Sequence, residues 1–289
     1  MGRVGTAAQP TGPVAFVLGG GGVLGASEVG MLRALAETGI APDLVFGTSI
    51  GAVNGAAVAT GPGLDVVDRL TELWERLADR DVFGGGLVTR TATLVRTRTH
   101  LHDQQPFRDL LTEQLGDLRI EDLPIPFQCV AASIERATEH WFTTGPLVDA
   151  VLASSAVPGL LAPVRVGDEH FLDGGLVASI PVDRAVELGA RTIYVLQVGR
   201  IEAPLHVPRL PWEVALVAFE IARRHRFQTA MATLPDGVDV HVLPTGGEPM
   251  PFTDRKQYRY RNLSSVSERI DNAYAASLAH LNGWAEERQ

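Results

Sequence analysis

Cysteine is almost absent from this chain of 289 residues, in which Cys129 is the single example. One thiol excludes an intrachain disulfide and fits the reducing conditions of a cytoplasm. Long apolar stretches are lacking too, since no uncharged run reaches the roughly 18 residues that a membrane-spanning helix needs. The amino terminus has no apolar segment of the kind found in secretory signals. We therefore expect a cytoplasmic protein that meets a membrane at most peripherally, at its inner surface.

Positive charge is also in short supply. Lysine and arginine number 25 against 34 aspartates and glutamates, which gives a net charge of −9. Nucleic-acid binding needs a basic surface that neutralises phosphates, so this class of function is disfavoured. No spacing of His, Cys, Asp and Glu suggests a metal site, and we expect neither a metal nor a cofactor. Hydrophobic residues make up 45% of the chain, enough for a buried core.

Strand and helix patterns alternate through the first two thirds of the chain. Strands are expected at 14–19, 43–47, 127–134, 139–145 and 191–199, and helices at 27–39, 49–61, 64–77, 146–159 and 181–190. Successive strand–helix units with short connections imply neighbouring parallel strands. The apolar face of the helix at 64–77 comprises Leu64, Val67, Leu70, Trp74 and Leu77.

Two other regions have a different character. The segment 83–106 is rich in threonine and arginine without periodicity, and it reads as a long loop. After Ile201, two long helices at 212–231 and 264–284 are expected, with one strand at 238–244 between them.

A glycine-rich loop follows the first expected strand and admits two interpretations. Gly20, Gly22 and Gly25 fit the G-x-G-x-x-G pattern of a dinucleotide-binding loop. That function also needs an acidic residue at the end of the second strand, but Asp43 precedes this strand. The alternative is an oxyanion hole, in which the backbone N–H groups of Gly20, Gly21 and Gly22 stabilise the negative charge of acyl transfer.

The end of the second strand favours acyl transfer. It reads Gly47-Thr48-Ser49-Ile50-Gly51, the G-x-S-x-G turn between strand and helix that exposes a nucleophilic serine. Gly47 and Gly51 are needed there because the turn brings the flanking backbones close together. The helix that follows directs the positive end of its dipole at Ser49. Because parallel strands end at the same edge of a sheet, we expect the glycine loop and Ser49 to be neighbours.

A serine nucleophile needs a proton acceptor, and two kinds of candidate exist. One is a histidine, as in the Ser-Asp-His triad of α/β-hydrolases, for which His206, His225 and His241 are the candidates. The other is the carboxylate of Asp173, which ends a short expected strand in the tight turn Asp173-Gly174-Gly175. An ordinary turn held by an aspartate is the structural alternative for this residue.

Four motifs together resemble the patatin-like phospholipase family: GGGGVLG, GTSIGAVNG, ASSAVPG and FLDGGLVASIPV. The resemblance implies an α/β fold of three α/β/α layers, with a mostly parallel central sheet and a C-terminal, mainly helical extension. It implies a Ser-Asp dyad of Ser49 and Asp173 and no cofactor, and its expected substrate is a lipid acyl ester. The oxyanion hole would be formed by Gly20, Gly21 and Gly22, and the motifs would be supported by Gly25, Gly47, Gly51, Gly174 and Gly175.

The resemblance also divides the chain into three parts. We expect a flexible tail at 1–13, a catalytic domain at 14–200, and a mainly helical part at 201–289 that packs on it as a candidate lid or membrane contact. Leu24 departs from the family pattern, which commonly has a basic residue there, and Ser179 lies where relatives often have an asparagine. Because of Leu24, a catalytically silent lipid-binding protein remains an alternative to an enzyme.

Three basic clusters are candidates for peripheral contact with a membrane surface. The first comprises Arg90, Arg96 and Arg98, the second Arg223, Arg224 and Arg226, and the third Arg255, Lys256, Arg259 and Arg261 beside Tyr258 and Tyr260. Solvated surface charge accounts for each cluster equally well.

Overall fold

The computed structural model describes residues 12–79, 100–198, 204–247 and 263–287. The predictions for the tail up to residue 11, for residues 83–99 of the loop expected at 83–106, and for the first and third basic clusters lie outside these ranges. At the other end of that expected loop, Gln105 and Pro106 already belong to a helix.

A central sheet of eight strands organises the described part of the chain. Its strands are β1 (Val14–Leu18), β2 (Leu44–Thr48), β3 (Phe127–Ser133), β4 (Thr138–Phe142), β5 (Val164–Val166), β6 (Glu169–Asp173), β7 (Thr192–Leu196) and β8 (Asp239–Val242). The order is β5-β6-β3-β2-β1-β7-β8, and β4 pairs with β3 outside this path. β1, β2, β3, β7 and β8 run parallel, whereas β4, β5 and β6 are joined by antiparallel pairings. The predicted mostly parallel sheet is confirmed.

Helices cover both faces of this sheet. They are α1 (Ala26–Glu37), α2 (Ile50–Ala59), α3 (Leu64–Asp79), α4 (Gln105–Leu115), α5 (Leu147–Ser154), α6 (Val182–Glu187), α7 (Pro211–Ala232) and α8 (Leu263–Glu287). Phe16 and Leu18 of β1 point into the larger core, together with buried side chains of α1 to α5 and α8. Ala15 and Val17 point into a second core that includes side chains of α6 and α7. This alternation confirms the three-layer architecture.

The region after residue 201 completes the same sheet and core. β8 pairs in parallel with β7, and α8 crosses α1 so closely that a Cβ added at Gly30 would lie 2.1 Å from the Ile270 carbonyl oxygen. Ile270 belongs to the larger core. The described residues after 201 therefore pack on the rest of the chain, while the division into a catalytic domain at 14–200 and a helical extension stays a prediction.

The prediction for α3 was right at its first residue, ended two residues short at 77 instead of Asp79, and was wrong about the burial of one residue. Val67, Leu70, Trp74 and Leu77 are buried, but Leu64 is 50% exposed because it is the first residue of the helix and lies at its end. Of the described helices, none combines the length and the apolar character needed to cross a membrane.

Candidate active site

Ser49 occupies a sharp turn between β2 and α2. Its backbone has φ 55° and ψ −123°, a left-handed conformation that non-glycine residues seldom adopt and that marks a functional turn. The flanking glycines make the turn possible, because an added Cβ would lie 2.5 Å from Ala52 Cα at Gly47 and 2.3 Å from the Leu18 carbonyl oxygen at Gly51. The predicted strand–turn–helix geometry is present.

The structure brings Asp173 to this serine across the sheet. β3 lies between β2 and β6, and its pairing with β6 sets Ala131 opposite Asp173. Ser49 Oγ donates a hydrogen bond of 2.6 Å to Asp173 Oδ2. The N–H of Gly175 donates to the other carboxylate oxygen at 2.7 Å. Both side chains are buried, with 7% of Ser49 and 4% of Asp173 exposed.

Burial changes the acidity of Asp173. Loss of hydration raises the pKa of its carboxyl to about 6, although the hydrogen bonds from Ser49 and Gly175 act in the opposite direction. A carboxylate with this pKa is a stronger base than one in water, where the pKa is about 3.9. It still remains largely ionised at neutral pH, as a proton acceptor must be.

The glycine loop lies against the serine, as the parallel strands predicted. A Cβ added at Gly20 would be 3.3 Å from the Cβ of Ser49. The Gly20 N–H, however, donates to the carbonyl oxygen of Ser179 at 3.2 Å. This differs from the expectation that all three amides face the substrate. The N–H groups of Gly21 and Gly22 make no hydrogen bond to the described residues, so they are the available donors.

The histidines of the alternative triad lie elsewhere. His206 and His225 are exposed. His241 lies on β8, three strands from β2, with its ring stacked on Tyr194 at 5.0 Å. Both carboxylate oxygens of Asp173 already accept hydrogen bonds from Ser49 and the following turn. The geometry favours a dyad over a triad.

Asp43 does not lie where a dinucleotide would need it. Its Oδ2 accepts a hydrogen bond of 2.7 Å from the N–H of Val14, the first residue of β1. Because β1 and β2 are parallel, this contact lies at the amino-terminal ends of the strands, whereas the glycine loop lies at their carboxyl ends. The carboxylate therefore cannot reach a ribose at the carboxyl ends of the strands, where such ligands bind.

Two contributors to the site were missed by the sequence reasoning. Ser154 is fully buried, and its Oγ accepts a hydrogen bond of 2.9 Å from the N–H of Ser49. The signal for it was the motif ASSAVPG, which the resemblance included without assigning a role to its serines. The second is Phe219 of α7, whose ring would contact a Cβ at Gly175 at 3.1 Å. Helix α7 therefore lies over the Asp-Gly-Gly turn.

Substitution of Ser154 by alanine is expected to destabilise the protein by about 1–3 kcal/mol, because it leaves the buried N–H of Ser49 without an acceptor. The neighbouring Ser155 provides a matched control, since its buried Oγ makes no hydrogen bond in the described structure. Urea unfolding of Ser154→Ala and Ser155→Ala measures the difference. Equal stability of the two variants would contradict a structural role for the Ser154 hydroxyl.

The second basic cluster is less exposed than a membrane-binding surface requires. Arg223 and Arg224 both form ion pairs with Glu220, and the side chain of Arg223 is only 5% exposed. Of this cluster, Arg226 is the residue that faces solvent.

Leu24 stands where the family resemblance led us to expect a basic residue. Its side chain is half-buried, and its Cβ would lie 3.8 Å from a Cβ added at Gly21.

The comparisons with known proteins agree with the motifs. Residues 16–186 match the family model described as patatin-like phospholipase. The chain is 36% identical over 199 residues to patatin-like phospholipase domain-containing protein ZK370.4 of Caenorhabditis elegans, which covers 65% of this chain and 14% of that protein. It is 33% identical over 188 residues to patatin-like phospholipase domain-containing protein 7 of Rattus norvegicus, covering 64% and 14%.

A fungal relative is similar to the same extent. The chain is 31% identical over 197 residues to lysophospholipase nte1 of Aspergillus terreus, with 65% of this chain and 12% of that protein covered. The chain thus spans only 12–14% of the length of these curated relatives.

Proposed function

The chain belongs to the patatin-like phospholipase family, and we propose that it is a serine hydrolase that cleaves the carboxylic esters of phospholipids and lysophospholipids. The observation that carries this proposal is the buried hydrogen bond of 2.6 Å between Ser49 Oγ and Asp173 Oδ2 beside a glycine loop. A nucleophile, a base and oxyanion donors are the parts that acyl transfer requires.

In the proposed mechanism, Asp173 accepts the proton of Ser49 as its Oγ attacks the ester carbonyl carbon. The negative charge that develops on the carbonyl oxygen is stabilised by the N–H groups of Gly21 and Gly22. When the tetrahedral intermediate collapses, Asp173 returns the proton to the leaving alcohol, and the acyl group stays on Ser49. The same carboxylate then accepts a proton from a water molecule as this water attacks the acyl-enzyme, and it returns the proton to Ser49 Oγ when the fatty acid is released.

The turn geometry supports this mechanism in two ways. The sharp turn at Ser49, where φ is 55°, sets its Oγ 2.6 Å from Asp173 Oδ2. The N–H of Gly175 fixes the second carboxylate oxygen at 2.7 Å, so the oxygen that faces Ser49 keeps its position while it gains and loses the proton.

The lipid substrate is supported by the family and by the surface around the site. A curated relative is named lysophospholipase. Helix α7, which covers the Asp-Gly-Gly turn, exposes Val214 and Ile221 by more than half, and Leu176 next to the turn is also exposed. Apolar side chains at this place fit a peripheral membrane contact through which a lipid reaches the site. We propose a cytoplasmic enzyme acting at the inner surface of the membrane.

The function is tested by offering the protein lysophosphatidylcholine, phosphatidylcholine and a triglyceride and measuring fatty-acid release. We expect hydrolysis of at least one phospholipid, and stoichiometric labelling of the Ser49 peptide by a fluorophosphonate, which reacts with activated serines. The control is Ser155→Ala, which should label like the wild type. A folded protein that neither hydrolyses these lipids nor labels would instead indicate the silent lipid-binding homologue.

A further inference from the structure

Three buried polar side chains lie behind the glycine loop and take no part in the mechanism above. Glu28 of α1 and Asn54 of α2 are fully buried, and Trp74 of α3 is 1% exposed. Asn54 Nδ2 donates to Glu28 Oε2 at 2.7 Å and to the carbonyl oxygen of Gly25 at 3.0 Å. Its Oδ1 accepts from Trp74 Nε1 at 3.1 Å. The amide of Asn54 thus uses both of its N–H groups and its oxygen in one orientation.

This network joins the two halves of the site. Gly25 ends the glycine loop, whereas Asn54 is on the helix that begins directly after Ser49. The two segments are also in close contact, because a Cβ at Gly25 would lie 2.7 Å from Ile50 Cγ1 and 2.9 Å from Trp74 Cζ2. The Asn54 hydrogen bond to the Gly25 carbonyl therefore fixes the distance between the oxyanion loop and the nucleophile.

We propose that Glu28 and Asn54 are positioning residues, which hold the glycine loop at the distance from Ser49 that oxyanion stabilisation requires. This inference rests on the proposed hydrolase function. Glu28 orients the Asn54 amide so that its other N–H reaches Gly25, and Trp74 fixes the opposite side of the same amide. A displacement of about 1 Å at such a site can reduce a rate 100-fold without touching a reacting group.

The environment of Glu28 favours its neutral form. Burial raises the pKa of this carboxyl well above its usual value, and hydrogen bonds from Asn54 and at the backbone of Gly19 oppose the rise only in part. Its second oxygen, Oε1, has no hydrogen-bond partner among the described residues. A neutral acid with its proton on Oε1 has the shape and polarity of a glutamine. We therefore expect glutamine to replace Glu28 and leucine not to.

The experiment compares Asn54→Ala, Glu28→Leu and Glu28→Gln with Val58→Ala, a truncation of a buried apolar residue of the same helix. It measures kcat and KM on a p-nitrophenyl ester and the inhibition constant of a trifluoromethyl ketone, whose tetrahedral adduct needs the oxyanion hole. In Asn54→Ala and Glu28→Leu, kcat should fall roughly 10- to 100-fold and the ketone should bind correspondingly more weakly. In both, KM should stay within about threefold, because ground-state binding does not use the oxyanion hole.

Glu28→Gln should retain kcat within about threefold, and folded Val58→Ala should retain it as well. An unchanged kcat in folded Asn54→Ala or Glu28→Leu overturns the inference, as does an equal loss in Val58→Ala. If both larger changes prevent folding, Trp74→Phe decides, since it removes the indole N–H donor but keeps an aromatic ring at this position: a loss of kcat of about threefold or more supports positioning, and an unchanged kcat overturns it. Failure of the proposed function is a separate result, because the wild type itself would then release no product.

Discussion

Replacement of Ser49 by alanine or of Asp173 by asparagine should abolish ester hydrolysis, with kcat lower by roughly 10⁴-fold or more. The alanine variant lacks the nucleophile. The asparagine variant keeps the side-chain volume but has no basic oxygen to accept the serine proton, and its amide nitrogen would donate toward Oγ instead. Initial rates on a p-nitrophenyl ester measure both, with Ser155→Ala as the control. Full activity in either folded variant would exclude the dyad.

The acidity of Asp173 makes the same prediction testable by pH. Since its pKa is about 6 in the folded protein, the carboxylate is the minor form below pH 6 and the dominant form above it. The value of kcat/KM should therefore rise tenfold per pH unit well below 6 and level off above about 7. A flat profile between pH 4 and 8 would show that another group accepts the proton.

The ionisation of Asp173 also affects the stability of the fold. Stability is expected to fall with rising pH, whereas activity is expected to rise. The pKa of Asp173 is raised from 3.8 to about 6 on folding, so the contribution to stability is present below about pH 4 and is lost as the pH rises through 6. Ionised Asp173 thus destabilises the fold at pH 8, by roughly 3 kcal/mol if the whole shift is counted. Asp173→Asn should unfold at a higher temperature than the wild type at pH 8, although it is inactive.

Replacement of Gly51 by alanine should both unfold the protein more easily and remove most of its activity. The added methyl group would lie 2.3 Å from the Leu18 carbonyl oxygen, and neither backbone can move without shifting Ser49. We expect a loss of about 3 kcal/mol in the free energy of unfolding and roughly 100-fold in kcat. Thermal unfolding and ester turnover measure the two effects.

The matched control is Gly283→Ala in α8, where an added Cβ meets nothing within 4 Å. There, alanine removes the conformational freedom of glycine within a helix, so the variant should be more stable by about 0.5–1 kcal/mol. If Gly51→Ala is as stable and as active as Gly283→Ala, the result would contradict the close contact between Gly51 and the backbone of β1.

Local signals predicted much of this fold. The Gly47–Gly51 turn and the glycine loop each follow a short apolar strand, and parallel strands end at one edge, so their proximity followed from the chain itself. The partner of Ser49 was harder to identify, because Asp173 reaches it through the pairing of β6 with β3. The family resemblance implied that the two residues form a dyad, but it did not predict this strand pairing, since no periodicity in the sequence encodes which strands become neighbours.

Other features depended on tertiary contacts that no motif displays. The donation of the Gly20 N–H to Ser179 and the acceptance by Ser154 of the Ser49 N–H each join residues far apart in sequence. Arg223 was expected in a basic surface cluster, but its pairing with Glu220 buries it. A charged side chain on a helix can point into solvent or lie buried, and burial requires a partner of opposite charge.

The antiparallel pairing of β6 with β3 also determines when, during folding, Asp173 can reach Ser49. Ser49 and Asp173 are 124 residues apart in the chain, and β3 lies between β2 and β6, the strands that lead to and contain them. Contacts of such sequence separation form late in folding, after the local strand–helix units. During synthesis the serine turn can therefore fold well before Asp173 has left the ribosome, and the nascent chain carries a serine without its base. The proposed Ser49–Asp173 pair is therefore complete only after β6 has joined β3 in the sheet.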